Sequence, residues 1–171
     1  MKILMILAID NFRDTEYLTP KAFFEQAGFE VITTGPEPQS VGRFGYRVNH
    51  EEFIHSISAY SYDAVLFVGG GGSLQLESNT DAKRLAQECL EQDKILGAIC
   101  AAPRNLLSWG LLEGKKCTGH DWGGEFENLC HKNKALYQNT ECVVDGNIIT
   151  ANGPEAVEFW ANSIIQMLNL K

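Results

Sequence analysis

KILGAICAAPRNLL, residues 94–107, joins an apolar run to a cysteine with small neighbours and then to a pair of leucines. The run Ile95–Ile99 predicts a strand covered on both faces, because buried parallel strands are continuously apolar. Leu106 and Leu107 resume the apolar pattern at helical spacing. A strand that turns abruptly into a helix exposes the side chain at the turn, and small flanking residues allow that turn. The stretch therefore predicts a nucleophile elbow with Cys100 at its exposed point.

The rest of the chain alternates strand and helix patterns in the same way. Strands are predicted over residues 3–9, 29–33 and 64–68, helices over 19–27, 50–58 and 80–92 with a last helix from 153, and hairpins over 41–48 and 143–149. The first helix is expected to open at Thr19-Pro20, since proline favours the first helical turn, and Thr80 is expected to cap the third. This alternation predicts an α/β three-layer sandwich with a mostly parallel sheet, formed by a single domain over residues 1–171.

The composition favours a small-molecule or protein partner. Of the 171 residues, 44% are hydrophobic and 21% charged, which is enough for one sizeable core. The formal net charge is −8, and the chain has no run rich in lysine and arginine. Both features argue against a nucleic acid or an anionic membrane surface as the partner.

The beginning of the chain predicts a strand rather than a targeting segment. Its apolar stretch, residues 3–7, is short and is soon followed by charged residues, without the pattern of a secretory signal. No run approaches the roughly 18 to 20 apolar residues that a membrane span needs. We therefore expect a cytoplasmic protein with no membrane association.

The cysteines do not suggest a disulfide framework. There are five of them at irregular spacing, in a chain large enough to fold without cross-links. A zinc site formed by Cys117, His120, Cys130 and His131 is an alternative, although adjacent residues such as Cys130 and His131 rarely aim at one metal.

Cys100 lies at the carboxyl end of a predicted strand, where open α/β sheets bind ligands. The start of the following helix favours a thiolate there. A fall of the thiol pKa from about 8.5 to about 5 requires about 4 to 5 kcal/mol, of which a helix terminus supplies only a part. A further hydrogen-bond donor to the Cys100 sulfur is therefore expected. The alternative is an unreactive core cysteine, but the sequence Ala101-Ala102-Pro103 directly after Cys100 favours the elbow.

Four segments together resemble the ThiJ/PfpI superfamily, which includes the Parkinson-associated deglycase. They are FRDTE at 12–16, YDAVLFVGGGG at 62–72, AICAAP at 98–103 and ITANGPEAVEF at 149–159. The resemblance covers nearly the whole chain. It implies a flavodoxin-like or class I glutamine amidotransferase-like fold, a reaction without a cofactor, and a homodimer.

The resemblance also implies a set of site residues. Cys100 would be the reactive cysteine, and Glu16 would face it from the loop after the first strand. A protonated carboxyl group can donate a hydrogen bond to a thiolate, whereas an ionised one repels it, so Glu16 is expected to be neutral when Cys100 is charged. The Gly70 and Ala101 amides would form an oxyanion hole, for which glycine allows close backbone approach. His120 would lie near the pocket as a general acid or base.

Three of these assignments have a plain structural alternative. Glu16 would otherwise be an ordinary glutamate in a first helical turn, Gly70 part of a flexible turn, and His120 a solvated loop histidine. The four glycines at 69–72 lack the Gly-Lys-Ser/Thr sequence of a phosphate loop, so a nucleotide site is not expected there.

Two departures from the superfamily's patterns reduce the range of activities that the resemblance implies. Ala101 stands where the PfpI-type peptidases have a histidine directly after the cysteine. The segment Asn152-Gly153-Pro154-Glu155 keeps the Pro-Glu of the amidotransferase triplet but not its histidine. Cleavage of a stable amide would lack its proton donor, whereas thiolate addition to a reactive aldehyde needs less help.

The favoured hypothesis is therefore an enzyme of the glyoxalase III or deglycase type. Its Cys100 thiolate would add to a small aldehyde such as methylglyoxal, or to a glycated adduct, and the product would be a 2-hydroxy acid such as lactate. The alternative is a redox-sensing or chaperone-like protein in which Cys100 is oxidised to a sulfinate.

Overall fold

The computed structural model describes residues 1–170. These residues contain eleven strands: β1 (Lys2–Ile6), β2 (Asp10–Phe12), β3 (Glu30–Thr34), β4 (Gln39–Gly42), β5 (Arg47–Asn49), β6 (Ala64–Phe67), β7 (Ile95–Ile99), β8 (Lys116–Cys117), β9 (Leu136–Tyr137), β10 (Cys142–Asp145) and β11 (Ile148–Ala151). They also contain five α-helices: α1 (Asp14–Gln26), α2 (Thr80–Glu91), α3 (Pro103–Ser108), α4 (Glu125–Lys132) and α5 (Val157–Asn169). Over this range, no helix combines the length and the apolar character that crossing a membrane demands.

A six-stranded sheet lies at the centre, in the order β10-β11-β7-β6-β1-β3. Its neighbouring strands run parallel, except that β10 is antiparallel to β11 across the hairpin predicted from the sequence. The chain leaves β1 for β3 on one side and then crosses to β6 on the other. This reversal places a crevice at the carboxyl ends of β1 and β6, the usual ligand position in such sheets.

Helices cover both faces of this sheet, which confirms the predicted three-layer α/β sandwich. Because side chains alternate along a strand, β1 contributes to two cores. Ile3 and Met5 pack in a cluster with Trp160 of α5. Leu4 packs in the other cluster with Leu85 of α2. All five of these side chains are fully buried.

A second sheet, β2-β4-β5, positions the loops near the crevice. Its β4 and β5 form the antiparallel hairpin expected over residues 41–48. Next to it, the Arg13 N–H donates to the Gly69 carbonyl at 3.0 Å. A side chain at Gly72 would collide with the carbonyl of Asp10. The glycine-rich segment after β6 therefore packs tightly against the segment that leads into α1.

The predicted start of the first helix is wrong, since α1 begins at Asp14 and includes Pro20 in its interior. Two acidic residues, Asp14 and Glu16, lie in its first turn, where a negatively charged side chain interacts favourably with the positive helix end. Asp14 also accepts hydrogen bonds from the amides of Phe44 and Tyr46, so the helix start is tied to the β4–β5 turn. These contacts outweigh the local preference of proline for the first helical position.

The predicted cap of the third helix is displaced by one residue. Thr80 is the first residue of α2, and the side chain of Asn79 is the cap: its Oδ1 accepts a hydrogen bond from the Ala82 N–H at 2.8 Å.

The helix predicted over residues 50–58 does not form, and turns occupy that segment. Ile54 and Ile57 are buried as expected, but Phe53 is partly exposed. Arg84 of α2 donates hydrogen bonds to the carbonyls of Ile57 and Ile54, at 2.9 and 3.1 Å. A distant side chain thus satisfies backbone groups that a helix would have satisfied locally.

Candidate active site

Cys100 lies directly after β7, where the sequence predicts an elbow. Its φ is +62°, in the left-handed region that a residue with a side chain seldom adopts. Two backbone hydrogen bonds hold it there. Its N–H donates to the Ala151 carbonyl at 2.9 Å, and its carbonyl accepts from the His120 N–H at 2.8 Å. The side chain is only partly buried, so the sulfur is presented at the edge of the sheet as a nucleophile elbow requires.

The helix after Cys100 contributes less to the sulfur's environment than the sequence suggests. α3 spans only Pro103–Ser108, so few peptide dipoles are aligned in it. The groups that lower the pKa of the thiol are instead the backbone N–H groups of Gly70 and Ala101.

Gly70 can reach the sulfur only because it lacks a side chain. Its φ is +98°, a conformation that glycine adopts freely. A Cβ at this position would collide with the Arg13 amide and lie 2.6 Å from the Asn11 carbonyl oxygen. The Gly70 and Ala101 amides thus form the pair that the family resemblance implies for an oxyanion hole.

Glu16 lies in the first turn of α1 rather than in the loop before it, and it is fully buried. It packs against Gly69, where a Cβ would collide with Glu16 Oε2 and lie 2.6 Å from Cys100 Cβ. Within residues 1–170, no donor reaches either of its carboxyl oxygens with hydrogen-bond geometry. The fold therefore holds an unsatisfied carboxyl group beside the sulfur.

Burial raises the pKa of both groups. It raises the pKa of Glu16 from 4.5 to about 7, although the Cys100 thiol and the Arg13 guanidinium act to lower it. Burial, followed by the negative charge of Glu16, raises the pKa of the Cys100 thiol to about 12. The direction is opposite to the lowered thiol pKa expected from the sequence, because desolvation and the adjacent carboxylate outweigh the two amides.

The two groups interact strongly, so they lose their protons as a pair. Between about pH 7 and about pH 12 the pair holds one proton and one negative charge. The backbone N–H groups of Gly70 and Ala101 act on the sulfur, and that of Gly69 acts on the Glu16 carboxyl group. With two amides facing the sulfur and one facing the carboxyl group, a thiolate beside a carboxylic acid stays the prediction made from the sequence.

The raised pKa of Glu16 predicts that the protein loses stability between about pH 4.5 and about pH 7. Over this range the folded protein retains a proton that the unfolded chain has released, so the free energy of unfolding falls as the pH rises. The shift corresponds to about 3 kcal/mol, since one pKa unit is about 1.4 kcal/mol. Denaturant unfolding below and above this range should show a smaller decrease for Glu16→Gln than for the wild type. Equal decreases in the two proteins would contradict the raised pKa.

The sulfur faces a cavity of about 260 Å³. The residues that line it include all five site residues expected from the sequence, namely Cys100, Glu16, Gly70, Ala101 and His120. The fold therefore brings together residues from four separate segments at one opening.

His120 is placed at this cavity by contacts of its own loop. Its ring packs edge-on against Trp122, with centroids 4.5 Å apart. Arg104 donates a hydrogen bond from Nη2 to the His120 carbonyl at 3.2 Å, and its guanidinium lies 5.0 Å from the centre of the Trp122 ring. Arg104 is nearly buried, so it holds the loop of His120 and Trp122 in place and takes no part in the reaction.

Comparison with known proteins identifies the family, since the model of the DJ-1/PfpI family matches residues 1–167. The chain belongs to the DJ-1/PfpI family. A Bacillus subtilis relative, YraA, named as a candidate cysteine protease, is 30% identical over 169 residues, which cover 98% of each chain. Deglycase PfpI of Pyrococcus furiosus is 27% identical over 169 residues, 98% of this chain and 99% of that one. The crystal structure of a ThiJ/PfpI domain protein from Brachyspira murdochii superposes with a TM-score of 0.93 at 29% identity, covering 99% of this chain and 97% of that one.

Four residues that line the cavity of this DJ-1/PfpI chain are not singled out by the sequence reasoning: Arg13, Arg43, Trp122 and Glu155. Arg13 and Glu155 lie inside segments that resemble the family, so the resemblance of these segments could have indicated that both residues lie near the site. Arg43 reaches the site through the pairing of β2 with β4, which no local pattern reveals. Trp122 lies in a loop whose course the sequence leaves open.

The zinc alternative is not supported by the arrangement of its residues. Among residues 1–170, no three His, Cys, Asp or Glu side chains converge as metal ligands. The Cys117 and Cys130 sulfurs lie 3.6 Å apart and buried, but His120 lines the cavity and His131 is exposed beside Glu127.

Proposed function

We propose that this DJ-1/PfpI protein is a cofactor-free enzyme that uses Cys100 to convert a small 2-oxoaldehyde, such as methylglyoxal, into a 2-hydroxy acid. The observation that carries the proposal is the Cys100–Glu16 pair, which holds one proton and one charge at neutral pH beside two amides. Relatives named deglycases support a reaction at a reactive carbonyl or at its early adducts.

The reaction needs a nucleophile, an oxyanion site and a proton carrier. The Cys100 thiolate adds to the aldehyde carbon, and the resulting alkoxide is stabilised by the Gly70 and Ala101 amides. Glu16, with His120 as a second candidate, moves the proton of that carbon to the neighbouring carbonyl carbon and so yields a thioester. Water then cleaves the thioester, releasing the 2-hydroxy acid and the thiol. One carbon is oxidised and its neighbour reduced by the same two electrons, so no external oxidant is required.

Incubation of the purified protein with methylglyoxal tests this function. We expect lactate to appear, as detected by NMR, without added nucleotide, metal ion or thiol. Methylglyoxal that remains unchanged, although the protein is folded, would overturn the proposal.

A second function, redox sensing, is favoured by the partial exposure of Cys100 at the cavity, since Cys89, Cys117 and Cys130 are buried and the partly exposed Cys142 lies outside the cavity. A thiolate and two equivalents of hydrogen peroxide give a sulfinate and two waters. Under mild peroxide we expect mass spectrometry to find two added oxygen atoms on Cys100 before any on the buried cysteines. This result without aldehyde turnover would favour sensing over catalysis, whereas oxidation spread equally over the cysteines would exclude it.

We do not propose peptide hydrolysis, although one relative is named as a candidate cysteine protease. Ala101 provides no base next to the sulfur, and the carboxyl group of Glu16 is needed in its protonated form to stabilise the thiolate. Attack on an unactivated amide also needs a proton for the departing nitrogen, and the histidine that would supply it in the PfpI-type peptidases is replaced here by Ala101.

A further inference from the structure

Two arginines line the Cys100 cavity of this acidic chain without a carboxylate partner. Arg13 and Arg43 are two of the 14 lysines and arginines in a protein with a net charge of −8. Within residues 1–170, neither side chain forms a salt bridge or donates a hydrogen bond. Of the other three arginines, Arg84 binds two carboxylates, Arg104 lies near a third and Arg47 donates to the Gln39 side chain. The cavity therefore holds two cations with free donors.

Aromatic stacking, rather than hydrogen bonding, positions both guanidinium groups. Their central carbons lie 5.5 Å (Arg13) and 6.0 Å (Arg43) from the centre of the Phe44 ring. Asp14 anchors the backbone that carries this exposed ring by accepting a hydrogen bond from the Phe44 N–H at 2.9 Å. Cation–π contacts leave the N–H groups of an arginine available for a ligand. The two arginines are thus held in place with their donors uncommitted.

One polar atom of Arg13 is conspicuously unsatisfied. Its Nε is buried and has no hydrogen-bond partner. Buried donors are normally paired, so an orphan beside a cavity indicates a missing acceptor. A carboxylate is the acceptor that arginine binds best, through two parallel N–H···O hydrogen bonds.

The acidic groups at the cavity do not replace that acceptor. Glu16 is buried and shares its proton with Cys100, while Glu155 is exposed and acts on Glu16 through its charge. Neither is paired with an arginine in the described residues. Arg13 is near enough to Glu16 to lower the pKa of that carboxyl group, so a ligand held by Arg13 would lie beside the reactive pair.

We propose that Arg13, assisted by Arg43, binds the carboxylate of an acidic substrate, so that the enzyme prefers 2-oxoaldehydes that carry a carboxylate over neutral ones. This preference rests on the proposed function for its turnover step. A substrate of this class is 4,5-dioxopentanoate, which would take up one water and yield 2-hydroxyglutarate. Its aldehyde carbon is oxidised and the adjacent ketone carbon reduced, while the distal carboxylate is unchanged and serves only for binding.

Alkylation of Cys100 by two matched reagents tests the carboxylate site without turnover. Iodoacetate and iodoacetamide share a leaving group but differ in charge. Arg13→Gln should lower the ratio of the iodoacetate rate to the iodoacetamide rate about tenfold, or about 1.4 kcal/mol. A change in the thiol pKa affects both reagents equally and cancels in the ratio. Arg47→Gln is the matched control, because Arg47 is exposed on β5 and hydrogen-bonded to Gln39 outside the cavity.

The exposed Arg43 supplies a second variant whose folding is not at risk. We expect Arg43→Gln to lower the same ratio by a smaller factor. An unchanged ratio in both Arg13→Gln and Arg43→Gln, or an equal fall in Arg47→Gln, would overturn the carboxylate site.

Steady-state kinetics with a charged and a neutral substrate distinguish the carboxylate site from the proposed reaction. We expect the wild type to have a higher kcat/KM for 4,5-dioxopentanoate than for 2-oxopentanal, its neutral analogue of equal length, and Arg13→Gln to remove the difference through KM. Turnover of both compounds with equal KM would overturn the carboxylate site and leave the reaction standing. A charge-dependent alkylation ratio in a protein that turns over neither compound would support the site and overturn the reaction.

Discussion

Replacement of Cys100 by serine is expected to abolish the conversion of methylglyoxal to lactate, with a loss of at least about 10³-fold in kcat/KM. The hydroxyl group of serine fits the elbow, but it is a much weaker nucleophile than a thiolate. Unlike a thiol, it does not share its proton with Glu16 near neutral pH, so the anionic nucleophile is lost. Lactate production from methylglyoxal by the variant and the wild type, compared under identical conditions, measures the effect.

Cys142→Ser is the matched control for this experiment. Cys142 is also a partly buried free cysteine, but it lies on β10 and does not line the cavity. Its thiol pKa is likewise raised by burial, to about 11, so it shares the desolvation of Cys100 without the elbow. We expect this variant to keep wild-type turnover. Full activity in Cys100→Ser would remove the basis of the proposed reaction.

The central strands and the elbow could be predicted from the sequence because their signals are local. A parallel strand buried on both faces reads as a continuous apolar run, as Ile95–Ile99 does. The small residues after Cys100 indicate an abrupt turn. The antiparallel hairpin around Asp145-Gly146 is signalled by its turn residues in the same way. Each of these patterns is decided within about ten residues of chain.

Features that depend on distant contacts could not be predicted. The segment over residues 50–58 has a helix-like pattern, but hydrogen bonds from Arg84 hold its carbonyls in turns. The start of α1 is decided by the contacts of Asp14 with the β4–β5 turn. Arg43 joins the site only because β2 pairs with β4. Periodicity describes one segment at a time, so it does not report such partners.

The electrostatics of the site were predicted only in part. The family resemblance pairs Cys100 with Glu16, and the structure brings the two together. The sequence does not report how deeply each group is buried, and burial is the largest cause of both pKa shifts. The sequence also suggests too large an effect of the following helix on the Cys100 thiol pKa, since α3 has only six residues. Desolvation therefore replaces the helix dipole as the dominant influence on the reactive pair.

Removal of the Glu16 carboxyl group is expected to slow the alkylation of Cys100 near neutral pH. In the wild type the pair loses its first proton at about pH 7, and the thiolate then coexists with the protonated carboxyl group. The alkylation rate should therefore rise with an inflection near pH 7. Glu16→Ala takes away the O–H donor, so its single inflection should lie above that of the wild type by about one unit or more, and the rate at pH 7 should fall about tenfold.

Glu16→Gln distinguishes the loss of a donor from the loss of a charge. Glutamine is neutral like the protonated acid and retains N–H groups that can donate to sulfur, so its inflection should lie between those of the wild type and Glu16→Ala. If the charge resided on Glu16 rather than on sulfur, both variants would remove a repulsive carboxylate, and alkylation at pH 7 would become faster. Rates of Cys100 alkylation by iodoacetamide, measured across pH 5 to 11, roughly two units to either side of the expected inflections, separate the two cases. A faster reaction in Glu16→Ala would mean that the carboxylate suppresses the thiolate, and the shared-proton description of the site would be wrong.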